Sequence, residues 1–211
     1  MCWSAPVSLA TFISSSLMSV YLWNRNITND KPFAIFIMCF SLMQLFEFFM
    51  WSDMKDHSFS SKLSLIFIFL QPFSLVAGLY YFRPTLYKQL WEKAVLLGVG
   101  VLSLLKASVA AYNGFVTDAD KKWLSVKGKR CHLVWSFIKN NDKMPQLARV
   151  DNMYILLLLL AMLMIKPFAH ALFFVILTFG SCLYTKKYYP GESGSLWCWI
   201  ANIIALTAIA V

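Results

Sequence analysis

The chain has 211 residues, 59% of them hydrophobic and 14% charged, with a net charge of +9 and a mean hydropathy of +0.62. A soluble domain carries about 25% charged residues, so these figures exclude an ordinary water-soluble fold and make lipid the solvent for most of the surface. The basic residues sit beside apolar stretches and form no long uninterrupted run, which argues against nucleic acid as a partner and for a bilayer with anionic headgroups.

A helix needs about 20 residues to cross a hydrocarbon core of about 30 Å, and lipid offers an open backbone no hydrogen-bond partner. Candidate spans are Ala5 to Trp23, Pro32 to Trp51, Leu63 to Phe82, Ala94 to Tyr112, a stretch ending at Ile165, Pro167 to Tyr184, and Leu196 to Val211. Met1 to Leu9 lacks the basic residues of a signal peptide, so the first stretch is expected to remain as a span. Trp and Tyr mark the ends, among them Trp23, Trp51, Trp91, Tyr112, Tyr154, Tyr184 and Trp197, as befits apolar side chains with one polar tip. The fold class that follows is all-α: one polytopic transmembrane bundle of about seven spans over residues 1–211.

Met153 to Tyr184 as one helix would run about 48 Å and overshoot the bilayer. Pro disfavours helix at the residue before it, so Lys166-Pro167 is expected to be a tight turn between two spans. One kinked helix, giving six spans, is the alternative.

Residues 113–152 form the one sizeable extramembrane segment, expected to cap the bundle. Trp123 to Val126 and His132 to Phe137 are aromatic and β-branched runs around Lys127-Gly-Lys-Arg130. They read as a β-hairpin with Gly128 in the turn, with a short amphipathic surface helix as the rival. Twelve Lys and Arg fall on the N-terminal side of the membrane, here side A, and six on side B. That bias puts the N-terminus in the cytoplasm, although eight of the twelve come from the one long loop.

Polar residues recur at helical steps within the spans: Ser8, Thr11, Ser15 and Ser19; Ser41, Gln44 and Glu47; Gln71, Ser74 and Gly78; Ser103, Lys106, Ala110 and Asn113; Ser195 and Asn202. Such stripes face neighbouring helices, and for the hydroxyl residues close packing is sufficient explanation. Glu47 and Lys106 ask for more, since a charge deep in a span costs about 2.5–3.5 kcal/mol even on lenient insertion scales. They are expected to meet, directly or through Gln44, Gln71 or Asn202, either as a structural ion pair or as part of a polar pocket.

Cys2, Cys131, Cys198 and His132 all fall toward side A. They allow a thiol–imidazole cluster, or disulfides if side A is not cytoplasmic, against the plainer reading of membrane cysteines as small apolar filler. No CxxC, HxxxH, GxSxG, HExxH, Walker loop or dinucleotide fingerprint occurs, so no metal or cofactor is named by the residues.

Met1-Cys-Trp-Ser4 with Ser8-Leu9, Phe46-Glu-Phe-Phe-Met-Trp51, Leu70-Gln-Pro72, His132-Leu-Val-Trp135 and Trp197-Cys-Trp-Ile-Ala-Asn202 resemble an uncharacterised family of multi-pass membrane proteins of large DNA viruses infecting algae and protists. The resemblance covers nearly the whole chain, implies a host or viral membrane, and brings no activity. Three functions stay open. The first is a transporter or receptor-like binding protein whose pocket is lined by Glu47, Lys106, Gln44, Gln71 and Asn202. The second is an intramembrane enzyme acting on lipid or thiol through the side A Cys and His. The third is a structural organiser in which the stripes only pack helices.

Overall fold

The computed structural model describes residues 4–118, 123–129, 131–150, 152–189 and 191–210. Among the described residues there are eight α-helices: α1 Ala5–Arg25, α2 Asp30–Ser52, α3 Ser58–Phe82, α4 Leu90–Tyr112, the single-turn α5 Ser136–Lys139, α6 Asn152–Leu163, α7 Phe168–Tyr188 and α8 Ser193–Ala210. Five of them, α1 to α4 and α7, are long and apolar enough to cross a membrane, α4 together with its continuation to Thr117. The apolar α6 and α8 are shorter, at 12 and 18 residues, so among the described residues five helices are of crossing length and two more are apolar but shorter.

The first four helices pack in chain order, each on the next; α6 lies against α3 and α4, α7 against α6, and α8 against α7, α2 and α1. α2 and α3 are therefore central, with 61% of their apolar windows buried against 28% for α1 and 22% for α7. The polar stripes turn inward on every one of these elements. Ser8, Ser15 and Ser19 on α1, Ser41, Gln44 and Glu47 on α2, Gln71, Ser74 and Gly78 on α3, Ser103 and Lys106 on α4, and Ser195 and Asn202 on α8 are all buried. Gly78 is required by close approach, because a Cβ there would stand 2.8 Å from the Pro32 Cα of α2.

The expected break after residue 165 is present. α6 stops at Leu163, α7 starts at Phe168, and the Lys166–Pro167 peptide is cis. Four side chains hold this turn at the end of the bundle away from the cap. Asn29 Nδ2 donates to Lys166 O, Lys166 Nζ donates to Leu86 O and pairs with Glu92, and the Tyr87 hydroxyl donates to Met164 O at 2.7 Å. Burial, reinforced by the nearby Glu92 carboxylate, pushes the Tyr87 hydroxyl above the ordinary phenol range and keeps it a donor. Lys166 thus acts as a staple between the turn and the loop before α4.

The hairpin in the long loop is also present, in two-residue strands: β1 Val126–Lys127 pairs antiparallel with β2 Leu133–Val134. The positive φ of its turn belongs to Cys131 at 65°. Gly128 serves close approach, since a Cβ there would lie 2.3 Å from the Glu192 carboxyl carbon.

Candidate functional site: a capped cavity at one end of the bundle

The hairpin is clasped to the start of α3. Trp123 N–H donates to Ser58 Oγ at 3.0 Å and Ser125 N–H to His57 Nε2 at 2.8 Å, while His57 Nδ1 lies 2.8 Å from Asp53 O. Ser125 Oγ in turn accepts from Ser136 N–H at 3.1 Å and meets Ser61 Oγ at 3.3 Å. A second attachment joins the hairpin to the turn before α8, where His132 N–H donates to Glu192 Oε2 at 3.0 Å and the His132 ring stands edge-on to Tyr189. Burial holds the His132 imidazole below its ordinary value, with the Glu192 charge pulling the other way.

Glu47 lies one turn from the end of α2 and is 2% exposed. Its carboxyl group accepts from the Trp135 indole Nε1 at 3.0 Å and is hydrogen-bonded to Ser195 at the start of α8. The contacts of Glu47 are therefore with the cap and α8, whereas Lys106, expected to meet it, is packed against α3. Lys106, fully buried, carries its Nζ 4.8 Å from the centre of the Phe69 ring on α3. The reason is topological: α3 stands between α2 and α4, so the acid faces α8 and the cap while the base faces α3.

Beneath Trp135 lies a cavity of about 230 Å³ bounded by α3, α6, α7, α8 and the cap. Trp135, Ile138 and Val150 roof it, and Gln71, Tyr154 and Cys198 are among the residues deeper in. Gln71 is fully buried; its Oε1 accepts from the Tyr154 hydroxyl at 2.8 Å, and its Nε2 has no partner among the described residues. The exposed Asn152 and Lys186 stand at the rim. Gly194 lets the roof close, because a Cβ there would come within 2.9 Å of the Trp135 ring.

The remaining candidate residues are scattered. Asn202 lies deeper, accepting from Ser15 Oγ and donating to Cys198 O at 2.6 Å, beside an apolar chamber walled by Phe33, Phe40, Leu75, Leu158 and Phe174. Gln44 is fully buried, with neither end of its amide partnered among the described residues. Of the proposed thiol–imidazole cluster, Cys2 lies outside the described residues, Cys131 is disulfide-bonded, His132 faces Tyr189 and Glu192, and Cys198 lines the cavity as a free thiol along with Cys182. Among the described residues no group of three or more His, Cys, Asp or Glu is placed to hold a metal ion.

Sequence reasoning named Gln71 and Cys198 as site residues but did not assign Tyr154, Thr185, Lys186 or Ser193 to the same space. Their helical spacing carried no signal for it, because the cavity exists only where four helices and a loop converge. No family model, curated protein or solved structure matches the chain.

Proposed function

We propose that the protein is an integral membrane binding protein of seven crossings whose capped cavity takes a small organic molecule bearing a hydrogen-bond acceptor. Gln71 carries this reading. A buried amide with one end satisfied and the other directed to no protein acceptor costs about 1–3 kcal/mol unless something accepts from it, and it lines the cavity. A volume of about 230 Å³ is many times the roughly 10–15 Å³ that one water needs, so it has room for a small organic molecule. Trp135 and Trp197 offer it aromatic faces, and Lys186 and Asn152 further donors at the rim. The Phe-rich packing beyond Asn202 favours capture at one end over passage through the bundle.

Seven crossings are supported by the ends of the two short helices. α6 begins at the cap and is followed by a turn held beside Asn29 and Glu92 at the opposite end. α8 begins beside Glu47, and its last carbonyls, Ala208 O and Ile209 O, accept from Arg25. Kinship with the viral membrane-protein family belongs to the same proposal and would set the protein in a host or viral membrane.

The disulfide at Cys131 supports an oxidising compartment at the capped end, since cytosolic thiols are kept reduced, and so opposes the orientation favoured by the Lys and Arg count. A glycosylation acceptor inserted in segment 139–143 should be modified in microsomes; modification of one near Lys88 instead would reverse the orientation.

For the binding reading, protein in nanodiscs is challenged with a panel of small carboxylates, amides and alcohols. At least one should raise Tm saturably and slow maleimide labelling of Cys182 and Cys198, and Gln71→Leu should remove both effects. A panel that gives no saturable protection, or protection indifferent to Gln71→Leu, overturns it.

A further inference from the structure

Below the capped cavity, along the same seam between α3, α6, α7 and α8, lies the apolar chamber beside Asn202. Three helices wall the two spaces at successive turns. Gln71 lines the cavity and Leu75 the chamber on α3, Tyr154 and then Leu158 on α6, and Cys198 and then Asn202 on α8. Trp197 stands in the wall of both. Its indole Nε1 is committed to Thr178 O at 3.1 Å, so the face it offers an occupant is ring carbon.

The chamber is slim, at about 40 Å³ against about 230 Å³ for the cavity above it. At its upper end Phe40 stands edge-on to Trp197 with ring centres 6.2 Å apart, and at its lower end Phe33 packs on Phe174 at 4.8 Å. Phe33 and Phe40 lie seven residues apart on α2, about 10 Å by helical rise, which is the reach of an extended chain of roughly eight carbon atoms at the C–C bond length. The Asn202 amide beside the chamber is spent, since Oδ1 accepts from Ser15 Oγ and Nδ2 donates to Cys198 O. An apolar space of this kind stays dry and takes hydrocarbon, whereas Gln71, Asn152 and Lys186 belong to the wider cavity. Resting on the reading of that cavity as a binding site, we propose that its ligand is a single-chain amphiphile. The acceptor-bearing head lies at Gln71, and an unbranched tail of about eight carbons passes the Trp197 ring into the chamber. Phe33 and Phe174 stop the tail, so the site selects chain length as well as head chemistry.

Protein in nanodiscs is titrated with straight-chain alkanoates from butanoate to tetradecanoate, and the saturable slowing of maleimide labelling at Cys182 is expressed against free aqueous ligand. Each added methylene should tighten binding about fourfold, and the gain should stop at the length that reaches Phe33 and Phe174. Ala205 and Met162 line the chamber. Ala205→Leu fills part of it and should move the limit to shorter chains while leaving butanoate unchanged. Met162→Ala enlarges it and should move the limit to longer chains, so either variant serves if the other fails to fold. Binding that Gln71→Leu removes but that ignores chain length overturns the tail and leaves the cavity reading in place. A gain per methylene without a limit, or a limit that neither variant moves, reports partition into the bilayer and also overturns it. Absence of protection by every alkanoate overturns it too, and the cavity reading falls with it only if the amides and alcohols fail as well.

Discussion

The indole Nε1 of Trp135, in the loop that caps the bundle, donates to the carboxyl group of Glu47 on α2 across 3.0 Å. The bond joins residues 88 apart in the chain and makes one buried acid serve both as a fixed point for the cap and as a partner of Ser195 on α8.

Replacing Trp135 with Phe keeps much of the ring packing and removes the donor. A buried acceptor deprived of one partner costs about 1–3 kcal/mol, so Trp135→Phe should lower thermal stability in detergent and speed proteolysis within residues 136–150. Glu47→Gln, which keeps a carbonyl able to accept from the same indole, should cost less. A Trp135→Phe protein as stable and as protease-resistant as wild type would mean that ring packing, and not the hydrogen bond, ties the cap down.

Gly78 and Gly98 form a matched pair of helix glycines. A Cβ at Gly78 would meet the Pro32 Cα at 2.8 Å, whereas at Gly98 it would meet nothing within 4 Å. Gly78→Ala must push α2 and α3 apart and should destabilise by about 1–3 kcal/mol. Gly98→Ala should be neutral or stabilising by up to about 1 kcal/mol, through helix propensity alone. Thermal unfolding of the two variants in one detergent checks the contrast, and a Gly78→Ala protein as stable as wild type would refute the close contact.

Attachment of the hairpin should depend on pH through His132. Burial lowers its folded-state value below the ordinary 6.5, so the unfolded state takes up the proton first. The stability this group contributes is complete above pH 6.5 and falls as pH drops toward the lowered folded value. Hydrogen exchange of residues 123–134 should accelerate across that acidic window in the wild type, and in His132→Phe this component should vanish. Persistence of the full acid dependence in the variant would assign it to another group.

Composition and periodicity alone determined that lipid is the solvent, that the chain folds as packed apolar helices, which polar face of α1 to α4 and α8 turns inward, and that Lys166-Pro167 breaks a run too long for one crossing. Those features are local: the step between Ser41, Gln44 and Glu47 is written along one helix whatever stands opposite. The loop hairpin was legible for the same reason, from alternating β-branched and aromatic residues around a turn. Which neighbour each face meets was decided only by tertiary structure. Glu47 and Lys106 are both buried charges within apolar helices, yet α3 packs between α2 and α4, and the acid turns to Trp135 and Ser195. The cavity around Gln71 and Tyr154, and the close approach of the Glu192 carboxyl group to Gly128, likewise arise from elements distant in the chain. A helical period records that a side chain must be covered, and it contains no term for what covers it.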